Sequence, residues 1–245
     1  MAVSRHRGDE PVLKACLNGG RSRWEHRAVP VTPDQLAADA ARCADLGVAA
    51  VHLHPRDDAG DESLAPAVVA GALTALRALR PGLPVGVTTG AWVEPDPAAR
   101  VAAVRAWPVL PDFTSVNVHE EGAEAVAAAL HGRGILVEAG LWTVDAARAW
   151  RGWRVPAGRV LVECTPDDPT AALADAAAIL AVLDADGPPV LLHGEGRAAW
   201  PVLAEAVRRG LDTRIGLEDT LHLPDGSPAP DNAALVEAAV ALGAT

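Results

Sequence analysis

The sequence has 245 residues, of which 50% are hydrophobic, and its formal net charge is −11. This length suits one large α/β barrel domain, and the hydrophobic content is sufficient for the core of such a domain. The acidic balance, without a basic stripe, argues against nucleic acid or an anionic membrane surface as a partner.

The cysteines and the apolar segments predict a cytoplasmic protein. Cys16, Cys43 and Cys164 stand at unrelated spacings with no C-x-x-C pair, so we expect no disulfide framework and a reducing compartment. The first eleven residues are polar and lack the apolar region of a signal peptide. No apolar run approaches the roughly 18 residues that cross a bilayer, so we expect no membrane partner.

Short apolar segments of strand character alternate along the chain with alanine-rich segments of helical character. The strand segments are mostly apolar throughout, which is typical of parallel strands covered by helices. Strands are predicted at residues 12–17, 48–54, 84–89, 113–118, 135–140, 159–164, 189–194 and 213–219. Helices are predicted at residues 32–47, 65–80, 97–107, 122–132, 143–151, 169–184, 198–209 and 231–242.

Eight strand–helix repeats without a break in composition predict an α/β fold, the (β/α)8 TIM barrel, as a single domain over residues 1–245. The first helix has a clear start, with Thr32 as N-cap, Pro33 at the first helical position and Gln35 three residues after the cap. An open doubly wound sheet is the alternative, but no G-x-G-x-x-G motif follows the first strand. In a barrel, the chemistry lies where the strands end.

Two histidines one residue apart, His52 and His54, close the second predicted strand. Side chains at i and i+2 of a strand point to the same face, so both imidazoles can bind one divalent ion if a third ligand comes from another strand. The alternative is a partly buried pair that is hydrogen-bonded to its neighbours. At the end of a barrel strand, the spacing favours a metal.

Carboxylates near the ends of two later strands are candidates for the remaining chemistry. Glu218 and Asp219 close the last predicted strand, and adjacent residues there face different ways, so one carboxylate on the metal and one free as a base is the natural division. Two histidines and a carboxylate with open positions suit a catalytic zinc ion. These acids could instead cap the following turn. Glu138 ends an apolar strand, which requires either a partner such as Arg214 or a catalytic role.

A turn rich in hydroxyl groups, "TTGA", follows the third predicted strand. Its backbone N–H groups and hydroxyls could bind a carboxylate. Turns of this kind often only terminate a strand, so this motif is a weak indication on its own.

With these residues assembled, the chain resembles the β-keto acid cleavage enzymes, a family of zinc-dependent barrels. The motifs that carry the resemblance are "AVPVTPDQLAADAARCADLGVAAVHLHPRD", "VGVTTGAW", "VEAGLWT" and "RIGLED", and the similarity covers nearly the whole length. The resemblance implies a Claisen-type exchange in which a β-keto acid and acetyl-CoA give acetoacetate and a new acyl-CoA. It also implies a homo-oligomer.

The resemblance assigns roles to the metal-binding and catalytic side chains. It implies that Asp219, held by Arg214, is the base and that Glu138 supports the polar network. The zinc ligands that it implies are the same three residues that the strand pattern suggests: His52, His54 and Glu218.

The resemblance also assigns substrate-binding positions. Thr88 falls where the family has a substrate-binding serine, and Ser115 falls at a second hydroxyl position, with Asn117 beside them. Together with the turn after the third strand, the predicted substrate-binding residues are Thr88, Thr89, Gly90, Ser115 and Asn117.

One position departs from the family pattern. Members that take an amino-substituted keto acid carry a glutamate after the first strand, and this sequence has Gly20 there, followed by Arg21 and Arg23. We therefore expect a substrate without an ammonium group, and the pattern leaves open whether its side chain is neutral or anionic.

Two other functions stay open at this point. A metal-dependent hydrolase of the amidohydrolase type also has an H-x-H motif, but on the first strand and with a bridging lysine, whereas Lys14 is the only lysine of this sequence. A non-catalytic barrel that binds a metal or an acyl ligand is the other alternative, and the substitution at Gly20 is compatible with it.

Overall fold

The apolar segments form the staves of a parallel barrel. A computed structural model of the chain describes residues 11–245; the start of the chain, where the sequence predicts no signal peptide, lies mostly outside that range. The strands are β1 (Leu13–Cys16), β2 (Ala50–Leu53), β3 (Val85–Thr88), β4 (Phe113–Asn117), β5 (Leu136–Leu141), β6 (Arg159–Cys164), β7 (Val190–Gly194) and β8 (Thr213–Ile215).

A helix follows each strand and covers the outside of the sheet, where the apolar side chains of both layers form the core. Within residues 11–245, no helix is both long and apolar enough to cross a membrane. The helices are α1 (Pro33–Asp45), α2 (Pro66–Leu79), α3 (Pro97–Ala106), α4 (Ala123–His131), α5 (Val144–Trp150), α6 (Pro169–Leu180), α7 (Ala199–Arg209) and α8 (Asn232–Ala241), with a short 3-10 turn at Gly196–Ala198.

From β1 to β7 each strand pairs in parallel with the next in sequence, and β8 pairs in parallel with β1. Fewer residues pair between β7 and the start of β8. Leu191 forms an isolated parallel bridge with Asp212, and Leu192 N donates to Asp212 O at 2.9 Å. These contacts close the sheet, so the predicted (β/α)8 barrel is confirmed.

The helix start that the sequence signals most clearly is also confirmed. Gln35 N donates to Thr32 Oγ1, and Thr32 N donates to Gln35 Oε1. The side chain of each residue thus accepts a hydrogen bond from the backbone N–H of the other, which is a capping box. Asp residues cap α3, α6 and α8 in a similar way. These local bonds fix where each helix begins on its strand.

The last strand is shorter than the sequence predicts, ending at Ile215 rather than at Asp219. A Cβ at Gly216 would lie 1.9 Å from Cys16 O, so only glycine allows this close approach to β1. Beyond it the chain turns, and Asp219 N and Thr220 N both donate to Gly216 O. Glu218 and Asp219 therefore lie on a turn, which can direct the two carboxylates differently.

A buried ion-pair network crosses the barrel interior. Lys14 Nζ on β1 contacts both carboxylate oxygens of Glu138 on β5, at 2.6 and 2.7 Å, and Arg159 Nη1 on β6 donates to Glu138 Oε1 at 2.9 Å. Arg159 Nε donates to Asp212 Oδ2, also at 2.9 Å. Burial opposes ionisation of Glu138, but the two cations outweigh it and hold its pKa below the usual range.

Of the two alternatives that the sequence leaves open for Glu138, the pairing with Arg214 is therefore wrong. Glu138 is fully buried and takes its partners from β1 and β6, because those two strands carry the cations that point into the same layer of the barrel. Arg214 pairs with other acids, near the end of β8.

Glu138→Gln should lower the free energy of unfolding by about 3–5 kcal/mol, because it leaves Lys14 and Arg159 buried without their carboxylate. The measurement is urea unfolding of the purified protein at neutral pH. As a matched control, Asp145→Asn breaks the exposed pair with Arg148 and should leave the unfolding midpoint nearly unchanged. Equal effects of the two substitutions would contradict a structural role for the network.

Candidate metal and substrate site

A cavity of about 470 Å³ opens where the strands end, at the rim expected to carry the chemistry. It is lined by residues from the ends of most strands and from the loops that follow them. The predicted site residues in its wall are His52, His54, Thr88, Ser115, Asn117, Arg214 and Glu218. Those outside the wall are Thr89, Gly90, Glu138 and Asp219.

The two histidines of the H-x-H motif meet the carboxylate of the β8 turn. His52 Nε2 lies 3.9 Å and His54 Nε2 lies 3.7 Å from Glu218 Oε2. One ligand atom from each residue lies within 4.8 Å of the others. Bonds of about 2.1 Å to one tetrahedral ion place ligand atoms roughly 3.4 Å apart, so the two measured spacings are close to those of a metal site.

Hydrogen bonding at this group also fits a cation. Glu218 Oε2 is buried and has no hydrogen-bond partner among the described residues, although it faces both imidazoles. Burial lowers the pKa of His52 well below its ordinary value, so this imidazole is neutral and its lone pair is available. Burial opposes ionisation of Glu218, but Arg214 helps to hold its pKa low. Two imidazole nitrogens and an ionised carboxylate are a donor set that suits zinc.

Residues directly after β1 hold this group in place. Asn18 is buried; its Nδ2 donates to His54 O at 2.9 Å, and its Oδ1 accepts from His54 N at 2.8 Å. Gly19 has φ +52°, and a Cβ there would lie 2.5 Å from Glu218 Cγ. An amide therefore fixes the backbone of one ligand, and a glycine makes room for another.

A residue that the sequence did not single out orients His54. Glu62, in the loop after β2, contacts His54 Nδ1 at 2.5 Å and accepts a hydrogen bond from Trp92 Nε1 at 3.2 Å. With Nδ1 engaged, Nε2 faces Glu218. A carboxylate on the distal nitrogen of a ligating histidine is the usual outer-shell arrangement of protein zinc sites. The sequence contains the acid, but the loop geometry that brings it back to the histidine is not visible in any periodicity.

Asp219 lies behind the cavity wall and is held by Arg214. Arg214 Nε and Nη2 both donate to Asp219 Oδ1, at 3.1 and 2.7 Å. Burial raises the pKa of Asp219 to about 8, although Arg214 opposes that shift. Oδ2 is buried and, within residues 11–245, has no hydrogen-bond partner. The side chain thus combines a fixed orientation with one free oxygen.

Two further carboxylates, Glu163 and Glu195, line the cavity beside β6 and β7. Burial raises the pKa of both groups, and the pKa of Glu195 reaches about 7 because Glu163 also opposes its ionisation. His193 is buried between Glu163 Oε2, at 3.4 Å, and Asp219 Oδ1, at 3.7 Å. Burial lowers the pKa of His193 well below its usual value, so this imidazole is neutral.

Only part of the predicted hydroxyl turn lines the cavity. Thr88 lines the cavity, and its Oγ1 accepts from Gly90 N at 3.1 Å. Thr89 Oγ1 donates to Ser115 O at 2.7 Å. The N–H of Gly90 and the hydroxyl of Thr89 are therefore used within the protein, which leaves Thr88 as the residue of this turn that can meet a ligand.

Two histidines and a carboxylate at the carboxyl rim of a (β/α)8 barrel, beside a polar cavity, define a candidate metal-dependent barrel enzyme. Residues 11–245 match the sequence model of the beta-keto acid cleavage enzymes. The chain belongs to this family, as the resemblance of its motifs predicts.

Solved structures share the fold. The apo structure of ObcA is 17% identical, with a TM-score of 0.71 over 89% of this chain and 63% of ObcA. A ternary complex of ObcA with a C4-CoA adduct and oxalate has the same identity and TM-score, over 89% of this chain and 65% of that one. The 3-dehydroquinate dehydratase of Geobacillus kaustophilus HTA426 is 13% identical, with a TM-score of 0.60 over 94% of this chain and 91% of that enzyme.

At these sequence identities, the similarity shows a shared barrel fold and nothing about function. The chain spans less than two thirds of the length of ObcA in both structures.

Glu62→Gln should weaken zinc binding by about 10- to 100-fold, because the amide cannot hold His54 as a carboxylate does. The measurement is competition for zinc between the purified protein and a chromophoric chelator. Glu25→Gln is the matched control, since Glu25 also lines the cavity but bonds to Ser22 and Arg21 rather than to a histidine. Unchanged affinity in Glu62→Gln would show that this contact does not support a metal.

Proposed function

We propose that the protein is a zinc-dependent β-keto acid cleavage enzyme that uses acetyl-CoA. The observation that carries the proposal is the convergence of His52, His54 and Glu218 at the cavity, with the free oxygen of Glu218 facing both imidazoles. Membership of the beta-keto acid cleavage enzyme family supports the reaction. The binary and ternary complexes of ObcA contain oxaloacetate and a C4-CoA adduct with oxalate, which supports a keto acid and a CoA thioester as the reactants.

The proposed metal ligands are His52, His54 and Glu218. Zinc bound by these side chains supplies a Lewis acid that stabilises negative charge developing on substrate oxygens. The hydroxyls of Thr88 and Ser115 and the amide of Asn117 line the same cavity and are the proposed donors to the keto acid.

Asp219 is the proposed base. Its Oδ2 takes a proton from C2 of the keto acid, and the C2 electron pair attacks the acetyl carbonyl carbon, so that the CoA thiolate leaves. The thiolate then adds to the original ketone carbon, and the bond between that carbon and C2 breaks. C2 takes back the proton, which yields acetoacetate and the new acyl-CoA. Arg214 holds Oδ1 throughout and fixes the direction of the base.

We propose that Glu138 supports the structure of the site and does not contact the substrate. It is fully buried beneath the cavity, in the network with Lys14 and Arg159. Because this network joins β1 to β5 and β6, it supports the strands whose ends form the cavity. The bridging role that an amidohydrolase-type site gives to a lysine has no candidate here, since Lys14 is committed to Glu138.

The proposed substrate has no ammonium group, as the glycine at position 20 suggests. Gly20 lies in the cavity wall, and Glu62 Oε2 would be 3.5 Å from a Cβ built there. His54 and Trp92 both contact Glu62 Oε1, whereas Oε2 is the oxygen that faces Gly20. Glu163 and Glu195 also line the cavity and could bind an ammonium group, and for that reason an amino-substituted acid belongs in any substrate test.

Asp219→Asn should lower kcat by about 10²- to 10⁴-fold while zinc stays bound, because only the proton acceptor is removed. Glu218→Gln should lose zinc as well as activity. Acetoacetate formation and metal content by elemental analysis are the two measurements. Glu163→Gln is the matched control for removal of a buried cavity carboxyl, and a smaller loss is expected there.

The division of roles fails if Asp219→Asn loses the metal and Glu218→Gln retains it. It also fails if Glu163→Gln loses activity completely while Asp219→Asn remains active, since Glu163 would then be the base.

A substrate screen tests the reaction itself. Purified zinc-loaded protein, acetyl-CoA and β-keto acids with neutral, anionic or ammonium-bearing side chains are combined, and acetoacetate and the new acyl-CoA are measured together. We expect equal amounts of the two products from a neutral or anionic acid. Turnover of the ammonium-bearing acid alone would contradict the inference from Gly20, and no product from any acid would favour a non-catalytic barrel.

A further inference from the structure

A second depression lies beside the cavity, between the loops that follow β7 and β8. We call it the β7–β8 groove and define it by Arg21, Arg197, Trp200, Leu221 and Leu223. Its volume is about 610 Å³, larger than that of the cavity. Arg21 lines both, so the groove begins where the cavity ends.

Residues that are close in sequence line the two spaces at two points. Glu195 lines the cavity and Gly196 lines the groove, while Asp219 separates Glu218 in the cavity from Thr220 in the groove. Gly196 N donates to Asp219 O at 2.8 Å, which ties the two segments together. A ligand in the groove therefore contacts Thr220, which follows the proposed base Asp219 and the proposed metal ligand Glu218 directly in sequence.

The floor of the groove is apolar, and hydrogen bonds to the backbone fix the segments that form it. Trp200 and Pro201 come from the first turn of α7, and Leu221 and Leu223 come from the loop before α8. Trp200 Nε1 donates to His222 O at 2.8 Å, which fixes the indole against that loop. Leu223 N donates to Ser227 O at 2.8 Å. This surface suits a long, flexible chain of amide and methylene groups, because its shape is formed before binding.

Two arginines give the groove a positive contribution in a chain of formal charge −11. Arg21 Nε donates to Glu218 O at 3.3 Å, which places this cation at the junction with the cavity. Arg197 Nε contacts Asp167 at 2.6 Å, and its side chain is 73% exposed. Its two terminal nitrogens make no hydrogen bond within residues 11–245 and remain available to an anion. Guanidinium groups of this kind bind phosphate oxygens.

We propose that the β7–β8 groove binds the pantetheine arm and the phosphates of the acyl-CoA, with the thioester entering the cavity past Arg21. The inference rests on the proposed function for the identity of the ligand. The inference adds two points to that function. It names the residues that bind the pantetheine and phosphate part of the acyl-CoA, and it gives the direction from which the thioester group reaches the turn after β8. Apolar contacts with Trp200 and Leu223 hold the arm, and Arg197 meets a phosphate.

The test compares two acetyl donors. Acetyl-CoA carries the whole arm, whereas the acetyl thioester of N-acetylcysteamine carries little beyond the reacting group. Trp200→Ala and Arg197→Glu should each lower the ratio of kcat/KM for acetyl-CoA to kcat/KM for the short thioester by about tenfold, since contacts to the remote part of a substrate act on the full donor alone. Arg148→Glu is the matched control, because Arg148 is also an exposed arginine paired with an aspartate, on α5 outside the groove.

Equilibrium binding of CoA by calorimetry gives an independent readout. We expect Arg197→Glu to weaken binding by about tenfold and Arg148→Glu to leave it unchanged. The groove assignment is overturned if the wild type uses both donors equally well, or if CoA binds the groove variants as tightly as the wild type.

Failure of the reaction is a separate outcome. If neither donor gives acetoacetate with any keto acid, the proposed function falls, and CoA binding by the variants still decides the groove. If the wild type binds no CoA and the groove variants instead change the association state in solution, the groove is a contact between copies and the inference is wrong.

Discussion

The exclusion of water from the barrel interior is the constraint on which this structure depends. A polar group buried there must have a partner inside the protein, and an unsatisfied one is costly. Glu138 meets this requirement completely through Lys14 and Arg159. Glu218 and Asp219 each keep one buried oxygen that has no partner among residues 11–245. The same rule thus separates a carboxylate whose oxygens are both paired within the fold from two that each keep an unpaired oxygen.

The parallel barrel converts this separation into a site. All strands end at one rim, so residues far apart in sequence, such as His54 and Glu218, meet there without any long loop. Local details then refine the approach, because the amide of Asn18 fixes the backbone of His54 and the left-handed Gly19 admits Glu218. His54 and Glu218 are held in defined positions because the strand end and the turn that carry them are themselves hydrogen-bonded.

Features governed by periodicity or by short-range rules could be predicted from the sequence. The strand–helix repeat gives the barrel, and the i, i+2 spacing brings His52 and His54 to one face. Long-range pairing could not be predicted in the same way. Arg159 reaches Glu138 from the next strand, and Glu62 returns to His54 through a loop that has no repeating pattern. The end of β8 could not be predicted either, because the close approach of Gly216 to Cys16 O on β1 is a contact between residues far apart in sequence.

A single guanidinium contacts both neighbouring acids, and the surroundings of their second oxygens make them different. Arg214 Nη2 contacts Glu218 Oε1 at 3.0 Å and Asp219 Oδ1 at 2.7 Å, so each carboxylate has one oxygen on the arginine. The turn after β8 then sends the remaining oxygens in different directions. That of Glu218 faces the histidines, where a cation would compensate its charge. That of Asp219 has no hydrogen-bond partner within residues 11–245, and burial raises the pKa of Asp219 to about 8. The proposed roles of ligand and base can therefore belong to neighbours in sequence, because the two acids share a cation and differ in what faces their second oxygen.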